Sequence, residues 1–395
     1  MSNQENDSKP ATGRRAANRV ATAPEKNQHE PIGILSHGDR RLIALTVGAT
    51  IAAGILHNSG GNAVIAFVVS GIALAVMASL VGRSVEALGD RLGAGGTGLL
   101  QSFLGNVPEF FVVLFSLKAG LFDVAKATIV GSILANVLLV LGAAFLVGGL
   151  KHGRQQFNAA ASRQLAVLLT LSVFALAIPS LTSALHTPAA SHEREITIGV
   201  SILLLVLFLC SIPDTLRTKS SDHIMTGTDD ALAAKSEATH HGQWPLGMAI
   251  TMLALTGIGA AFVSDWFVAS LSPAMQTLHI SEAFAGLIIV AIAGNAIENV
   301  VGIQLAAKKQ ADYAIQVILQ SPVQVAMTVA PAVALAAPLV GAASFTLVLS
   351  PLLLATLFMA GLIATIIVVD GEYTWFEGAA LLTLYCAIAL AFWWG

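Results

Sequence analysis

Gly105-Asn106-Val107-Pro108-Glu109 stands near the start of an apolar run that continues to about Leu117. A carboxylate at membrane depth costs roughly 2.5–3.5 kcal/mol on insertion scales, so it needs a partner or a task. The stretch returns 189 residues further on, from Glu109 to Glu298, as Gly294-Asn295-Ala296-Ile297-Glu298. At the same offset, without gaps, Asp123 falls on Asp312 and Ser132 on Ser321. A glycine, an asparagine, a glutamate, an aspartate and a serine in one register mark an internal repeat. It is built around two glutamates in apolar segments.

The composition agrees with a life in lipid. The chain of 395 residues is 55% hydrophobic and 11% charged, where soluble domains carry about 25% charged residues. A net charge of −3 gives no basis for binding nucleic acid. Cys210 and Cys386 both lie in apolar runs and show no disulfide or metal spacing, so they read as small apolar residues. Residues 1–36 are polar, carry Arg14, Arg15, Arg19 and Lys26, and lack a helical apolar stripe. They read as a disordered cytoplasmic tail, and the absence of an apolar core there argues against a cleaved signal peptide.

A spanning helix needs about 20 mostly apolar residues. That rule predicts an all-α polytopic membrane protein of about 11 helices, at 40–57, 62–82, 97–118, 123–148, 162–182, 194–213, 245–269, 281–306, 312–340, 344–369 and 374–394. The organisation follows: a tail over 1–36, a first transmembrane helix over 37–60, and a five-helix repeat over 61–213. A cytoplasmic linker over 214–243 precedes a second five-helix repeat over 244–395. Pro108 interrupts the third helix, and Pro322 and Pro331 the ninth; such breaks survive at membrane depth only where freed backbone groups meet protein, water or an ion.

Lys and Arg set orientation. Arg83, Arg91, Lys151, Arg154, Arg217, Lys219, Lys235, Lys308 and Lys309 share the side of the tail, whereas the other side holds Lys118, Lys126 and Arg194. The tail and linker are therefore expected in the cytoplasm and Gly395 outside, in a bacterial cytoplasmic membrane. Five helices per repeat invert the second repeat. The two glutamates then approach from opposite sides and meet near the midplane, as in inverted-repeat transporters.

Polar stripes surround both glutamates. Gln101, Gly105 and Glu109 lie four apart on one helix face, with Ser102 and Asn106 alongside. Gly294, Asn295 and Glu298 repeat the pattern. Asp312, Gln316, Gln320, Gln324 and Thr328 recur every four residues with Ser321 adjacent, as do Thr128, Ser132 and Asn136. Amide and hydroxyl oxygens are hard ligands, and with two carboxylates they supply the six to eight oxygens Ca2+ takes at about 2.3–2.6 Å. The plainer reading of any one of them is hydrogen bonding between helices. Gly131 with Ala135 reads as close helix packing rather than as ligand.

Other motifs carry less. Gly93-Ala94-Gly95-Gly96-Thr97-Gly98 matches G-x-G-x-x-G but follows no strand, so it reads as a loop opening a membrane helix. His240-His241 reads as a solvated linker feature, and Asp265 and Glu86 as interfacial residues near helix ends. No nucleophile–base pair and no H-E-x-x-H sequence points to an enzyme.

At these residues the chain resembles the cation/proton exchanger (CAX) family of the Ca2+:cation antiporter superfamily. The resemblance rests on the two Gly-Asn-x-x-Glu segments, on Gly131-Ser132-Ile133-Leu134-Ala135-Asn136 and Gln320-Ser321-Pro322-Val323-Gln324, and on Asp370-Gly371-Glu372-Tyr373-Thr374-Trp375-Phe376-Glu377-Gly378 before the last helix. It covers roughly 60–395. It implies eleven helices arranged as one plus five plus five. Two positions depart from it: Asn299 stands where many relatives have histidine, and Gln320 where they have glycine. Both keep an oxygen ligand; the first removes an imidazole.

The function expected is secondary antiport of Ca2+, or another divalent cation, against H+, with no cofactor. Burial favours a protonated carboxyl and a divalent cation favours the charged one, so Glu109 and Glu298 hold either protons or Ca2+. Asn106, Asn295, Ser132, Ser321, Gln320 and Gln324 complete the shell, with backbone carbonyls near Gly105 and Gly294. Asn136, Asn299, Gln101 and Ser102 are secondary candidates. Exchange of Na+ or K+ for H+ through the same glutamates is the alternative reading, and an ion channel a more distant one. Lipid and the transported cations are the only partners expected; the sequence does not set the oligomeric state.

Overall fold

The computed structural model describes residues 35–225 and 244–394, without the side chains of Glu86, residues 89–103, residues 212–225, Ile297 and Glu298. Its helices are α1 (His37–Ser59), α2 (Ala63–Leu104), α3 (Val107–Lys118), α4 (Phe122–His152), α5 (Ala159–Ala184) and α6 (Glu193–Met225). After the linker come α7 (Leu246–Leu278), α8 (Glu282–Gly294), α9 (Ala296–Ala307), α10 (Ala311–Val340), α11 (Pro351–Ile367) and α12 (Trp375–Trp393). Two short strands, β1 (Gln155–Gln156) and β2 (Glu372–Tyr373), pair antiparallel.

Local chemistry sets several helix starts. Ser36 and Asp39 form a reciprocal capping box at α1, and Thr374 and Glu377 do the same at α12. Asn158 accepts from the backbone of Ala160 and Ala161 at α5. Each cap satisfies N–H groups that the helix itself leaves unpaired.

Among the described residues, eight helices are long and apolar enough to cross a membrane, or nine if the bent pair α8–α9 counts as one span. The expected count of eleven also included two segments that are built differently. The predicted helix over 97–118 is divided: Leu104 ends α2 and Val107 opens α3. The predicted helix over 344–369 shortens to the 17 residues of α11, because Pro351 forces Ser350 into extended backbone and Ser350 then caps the helix. The Gly93–Gly98 segment, expected as a loop, lies within the continuous helix α2. α7 runs on to Leu278, so Asp265 is well inside it; its carboxylate meets Lys118, the last residue of α3, at 3.3 Å. α6 continues to Met225, while His240 and His241 fall outside the described residues, as does the side chain of Glu86.

α4 and α10 form the centre. In their apolar windows 83% and 67% of the residues are buried, against 11% in α1. They run in opposite directions. Asn158, just beyond the end of α4, donates its backbone N–H to Asp312 in the first turn of α10. His152, at the end of α4, lies 3.0 Å from the carbonyl of Ala307, the last residue of α9. β1 and β2 clip the same end together, and Arg154 meets Glu372 there at 2.7 Å. That is the arrangement expected if the second half is inverted relative to the first.

α1, outside both repeats, is fastened by charge. Asp39 is buried and accepts from Arg83 Nε at 2.9 Å and from Trp244 Nε1 at 3.0 Å. The Arg83 guanidinium also lies 5.6 Å from the centroid of the Trp244 ring. A charge at this depth is tolerated because it is paired and hydrogen-bonded. The arrangement joins α1, α2 and the approach to α7. Further along, Phe67 stacks on Phe267 at 4.6 Å between α2 and α7.

Candidate functional site

Each Gly-Asn-x-x-Glu segment is a helix break. After Leu104 the chain turns at Gly105 and Asn106, and Pro108 sits in the first turn of α3, where its missing N–H costs no helical bond. Asn106 has φ −92 and ψ 10, and Asn295 has φ −102 and ψ 21. The Asn106 carbonyl accepts from Phe110 N at 2.9 Å and the Asn295 carbonyl from Asn299 N at 3.1 Å. Between Glu282–Gly294 and Asn299–Ala307 the axis turns by 61°. Both glutamates thus occupy the third position of a new helix, where unused N–H groups favour negative charge.

The breaks meet in the middle of the bundle. Glu109 is 2% exposed. Its side chain lies against the other repeat's motif: a Cβ built on Gly294 would come 3.8 Å from Glu109 Cγ. Asn106 Nδ2 donates to Gln324 Oε1 on α10 at 2.9 Å. Asn295 Nδ2 donates to Ser132 Oγ on α4, and its Oδ1 accepts from Asn136 Nδ2 at 3.1 Å and Ser321 Oγ at 3.3 Å. Each break is held by the central helix of the opposite repeat.

Two features give these contacts their geometry. α4, α8 and α10 contain π-helical turns at Ala135–Val140, Ala285–Val290 and Val325–Val329. Such turns re-aim side chains and concentrate at functional sites. α4 and α8 also touch backbone to backbone: a Cβ on Gly131 would lie 2.2 Å from Leu287 O, and one on Gly286 would lie 2.5 Å from Val124 O. Gly131 is a packing residue, as its sequence context indicates.

The result is a buried array of oxygens. Asn136 is 0% exposed, and its Nδ2 donates to Ser132 O as well as to Asn295. That leaves Oδ1 as a buried acceptor, and among the described residues it has no donor; Asn299 Oδ1 is in the same position. Buried acceptors in native proteins almost always have a partner, and here a cation or a proton donor fits. One carboxylate with several amide and hydroxyl oxygens is a donor set for a hard cation.

The model of the family described as sodium/calcium exchanger protein matches residues 62–212 and again 248–394. The chain belongs to this exchanger family. It is 32% identical over 356 residues to the Ca2+/H+ antiporter ChaA of Bacillus subtilis (strain 168), covering 89% of this chain and 97% of that protein. It is 29% identical over 347 residues to a Ca2+/H+ antiporter of Synechocystis, covering 85% and 92% of the two chains. The solved structure of native YfkE superposes with a TM-score of 0.70 at 30% identity, over 89% of this chain and 99% of that one. The H+/Ca2+ exchanger CAX shares the fold, with a TM-score of 0.68 at 17% identity over 89% of this chain and 88% of that one. The chain is thus a multi-pass integral membrane protein with an exchanger's helical fold.

Around the two breaks the structure gathers Asn106, Glu109, Ser132, Asn136, Gly294, Asn295, Ser321 and Gln324. Gly105 forms the turn beside them. Among the described residues, the side chains of Gln320 and Asn299 make no hydrogen bond to this group. The side chains of Gln101, Ser102 and Glu298 lie outside the described residues. Asn136 is more central than its place among the secondary candidates suggests. The signal for it is its position four residues after Ser132, one turn along the same stripe.

Proposed function

We propose that this chain is a secondary antiporter that exchanges Ca2+ for H+ across the bacterial cytoplasmic membrane, with its N-terminus inside. The observation that carries the reading is the convergence of the two Gly-Asn-x-x-Glu breaks, with Glu109 against Gly294 and the asparagines bonded across the repeats. The names of the similar proteins agree with it. The Lys and Arg bias supports the orientation. Glu109 and Glu298 carry the exchange, each holding a proton or sharing a cation. The oxygens of Asn106, Ser132, Asn136, Asn295, Gln320, Ser321 and Gln324, with carbonyls near Gly105 and Gly294, replace the water around the ion. No bond to carbon is made or broken, so the protein works as a transporter rather than as an enzyme.

The test is uptake into inverted vesicles under an imposed proton gradient, with Ca2+, Mn2+, Na+ and K+ compared side by side. Ca2+ is expected to move and to be lost from the vesicles when the gradient is collapsed. Movement of Na+ or K+ alone would transfer the site to monovalent exchange. Orientation is read separately. A cysteine at Ser236 is expected to be shielded from impermeant thiol reagents in intact cells, and one at Gly395 to be labelled.

A further inference from the structure

Where α4 ends and α10 begins, a polar cleft of about 520 Å3 is lined by His152, Arg154, Gln156, Lys309, Asp312 and Tyr313, among others. Lys151 and Lys308 stand beside it in sequence, and Lys151, Arg154, Lys308 and Lys309 are exposed. Several carboxylates reach this end, Asp370 and Glu377 among them, the latter spent on the cap of α12. Glu372 pairs with Arg154 at 2.7 Å, and Asp312 accepts the backbone N–H of Asn158. Among the described residues Lys151, Lys308 and Lys309 enter no ion pair, so their ammonium groups at the cleft and its rim are not engaged by a protein carboxylate. An entrance for a cation would have the opposite sign.

Two further observations give the anion a character. Among the described residues no side chain caps α10, whose N-cap and first residue, Gln310 and Ala311, line the cleft. Tyr313 is 49% exposed and lines the cleft, while Trp375 is 48% exposed and packs against Gly149 at the end of α4. Exposed aromatics beside lysines and arginines, at the end of membrane helices, mark the level of lipid headgroups. Basic pockets between such helices suit anionic lipid.

We propose that this cleft binds the phosphate of an anionic phospholipid headgroup, with Lys309 and Lys308 as its cationic contacts and Tyr313 at the glycerol level. The site is separate from the oxygen array at the centre, and it stands whether or not the chain transports Ca2+.

The test uses the purified full chain in neutral detergent, with thermal unfolding as the readout. Phosphatidylglycerol is expected to raise the midpoint by several degrees, with phosphatidylcholine and inorganic phosphate producing no comparable shift. The double variant Lys308→Gln, Lys309→Gly is expected to lose most of the phosphatidylglycerol shift. Lys309 has φ 64, a backbone conformation glycine adopts freely, so the variant keeps its fold and its own midpoint verifies this. An equal shift from phosphatidylcholine, or an unchanged shift in the variant, overturns the proposal. An equal shift from inorganic phosphate overturns the lipid assignment. A shift that appears only after residues 226–243 are deleted assigns the cleft to the acidic linker instead.

Discussion

Asn106 Nδ2 lies 2.9 Å from Gln324 Oε1, so the helix break of one repeat is fastened to the central helix of the other. The bond joins residues 218 apart in sequence. It is expected to couple the two positions energetically. Asn106→Ala and Gln324→Ala should each lower Ca2+ uptake, and the double variant should lose less than the two single losses combined. The coupling expected is about 1 kcal/mol, the scale of side-chain hydrogen bonds between membrane helices. Strictly additive losses in a double-mutant cycle on thermal unfolding would show that the bond has no energetic weight.

Glu109→Gln and Glu298→Gln are expected to bring proton-driven Ca2+ uptake to background while the protein still inserts. A neutral amide keeps the shape and removes both the charge and the exchangeable proton. Glu109→Asp keeps the charge but withdraws it by one methylene, so it should weaken affinity and retain some coupling. Asp265→Asn is the control. Its partner Lys118 and Asp265 itself are 55% and 44% exposed, and exposed pairs contribute little. Uptake is measured against external pH at matched protein amounts, and wild-type uptake should rise as protons compete less for the carboxylates. If Glu298→Gln keeps the wild-type rate and pH dependence, that glutamate is a structural residue.

Gly131→Ala is expected to be poorly tolerated. The added methyl would fall 2.2 Å from Leu287 O, a backbone atom that only a helix shift can move. Overpacking of this kind costs roughly 1–3 kcal/mol. Gly48→Ala meets nothing within 4 Å and should be neutral or slightly stabilising. Gly294→Ala meets only ordinary contact with Glu109 at 3.8 Å. It should fold and show its effect in transport. Thermal midpoints of the three variants, set beside their uptake rates, separate packing from function.

Tyr373 offers a pH-dependent stability test away from the transport site. It is 1% exposed and stacks on Phe145 with ring centroids 4.0 Å apart. Its hydroxyl has no hydrogen-bond partner among the described residues. Burial pushes its pKa up to about 12 from an ordinary value of 10.0. The unfolded chain therefore releases this proton first as pH rises. The stabilisation is complete below pH 10.0 and is lost towards about 12. Tyr373→Phe should be neutral or stabilising at pH 7, because it removes an unpaired buried hydroxyl, and should lessen the alkaline loss. A destabilised Tyr373→Phe at neutral pH would show that the hydroxyl has a partner.

The membrane class and the convergence of the two motif segments were legible because both rest on strong local chemistry. A glutamate in an apolar run is rare, and two at one offset, each after Gly-Asn, identify the place where the halves meet. Ser132, Ser321 and Gln324 followed from polar stripes at helical spacing. What stayed hidden depends on packing between distant segments. Nothing local in Ala135–Val140 marks a π-helical turn, since Ala, Leu, Val and Asn in this mix also occur in the α-helical segments of the chain. The pairing of Asp39 with Arg83 and Trp244 joins three segments that sequence spacing does not relate. The continuation of α2 through Gly93–Gly98 runs against the low helix propensity of glycine.

Among the described contacts the two braces at the centre differ in chemistry. One is an amide–amide bond, Asn106 to Gln324. The other gathers Asn295, Ser132, Asn136 and Ser321 into one knot. If the halves were interchangeable, the outward-open and inward-open forms would be related by a two-fold rotation and equal in free energy. With unequal braces, the two facings are expected to differ in free energy, and unequal populations in the absence of a gradient would show it. Such a machine has a resting posture. Rates measured at equal and opposite driving forces are then expected to differ with direction, which those of a symmetric shuttle would not.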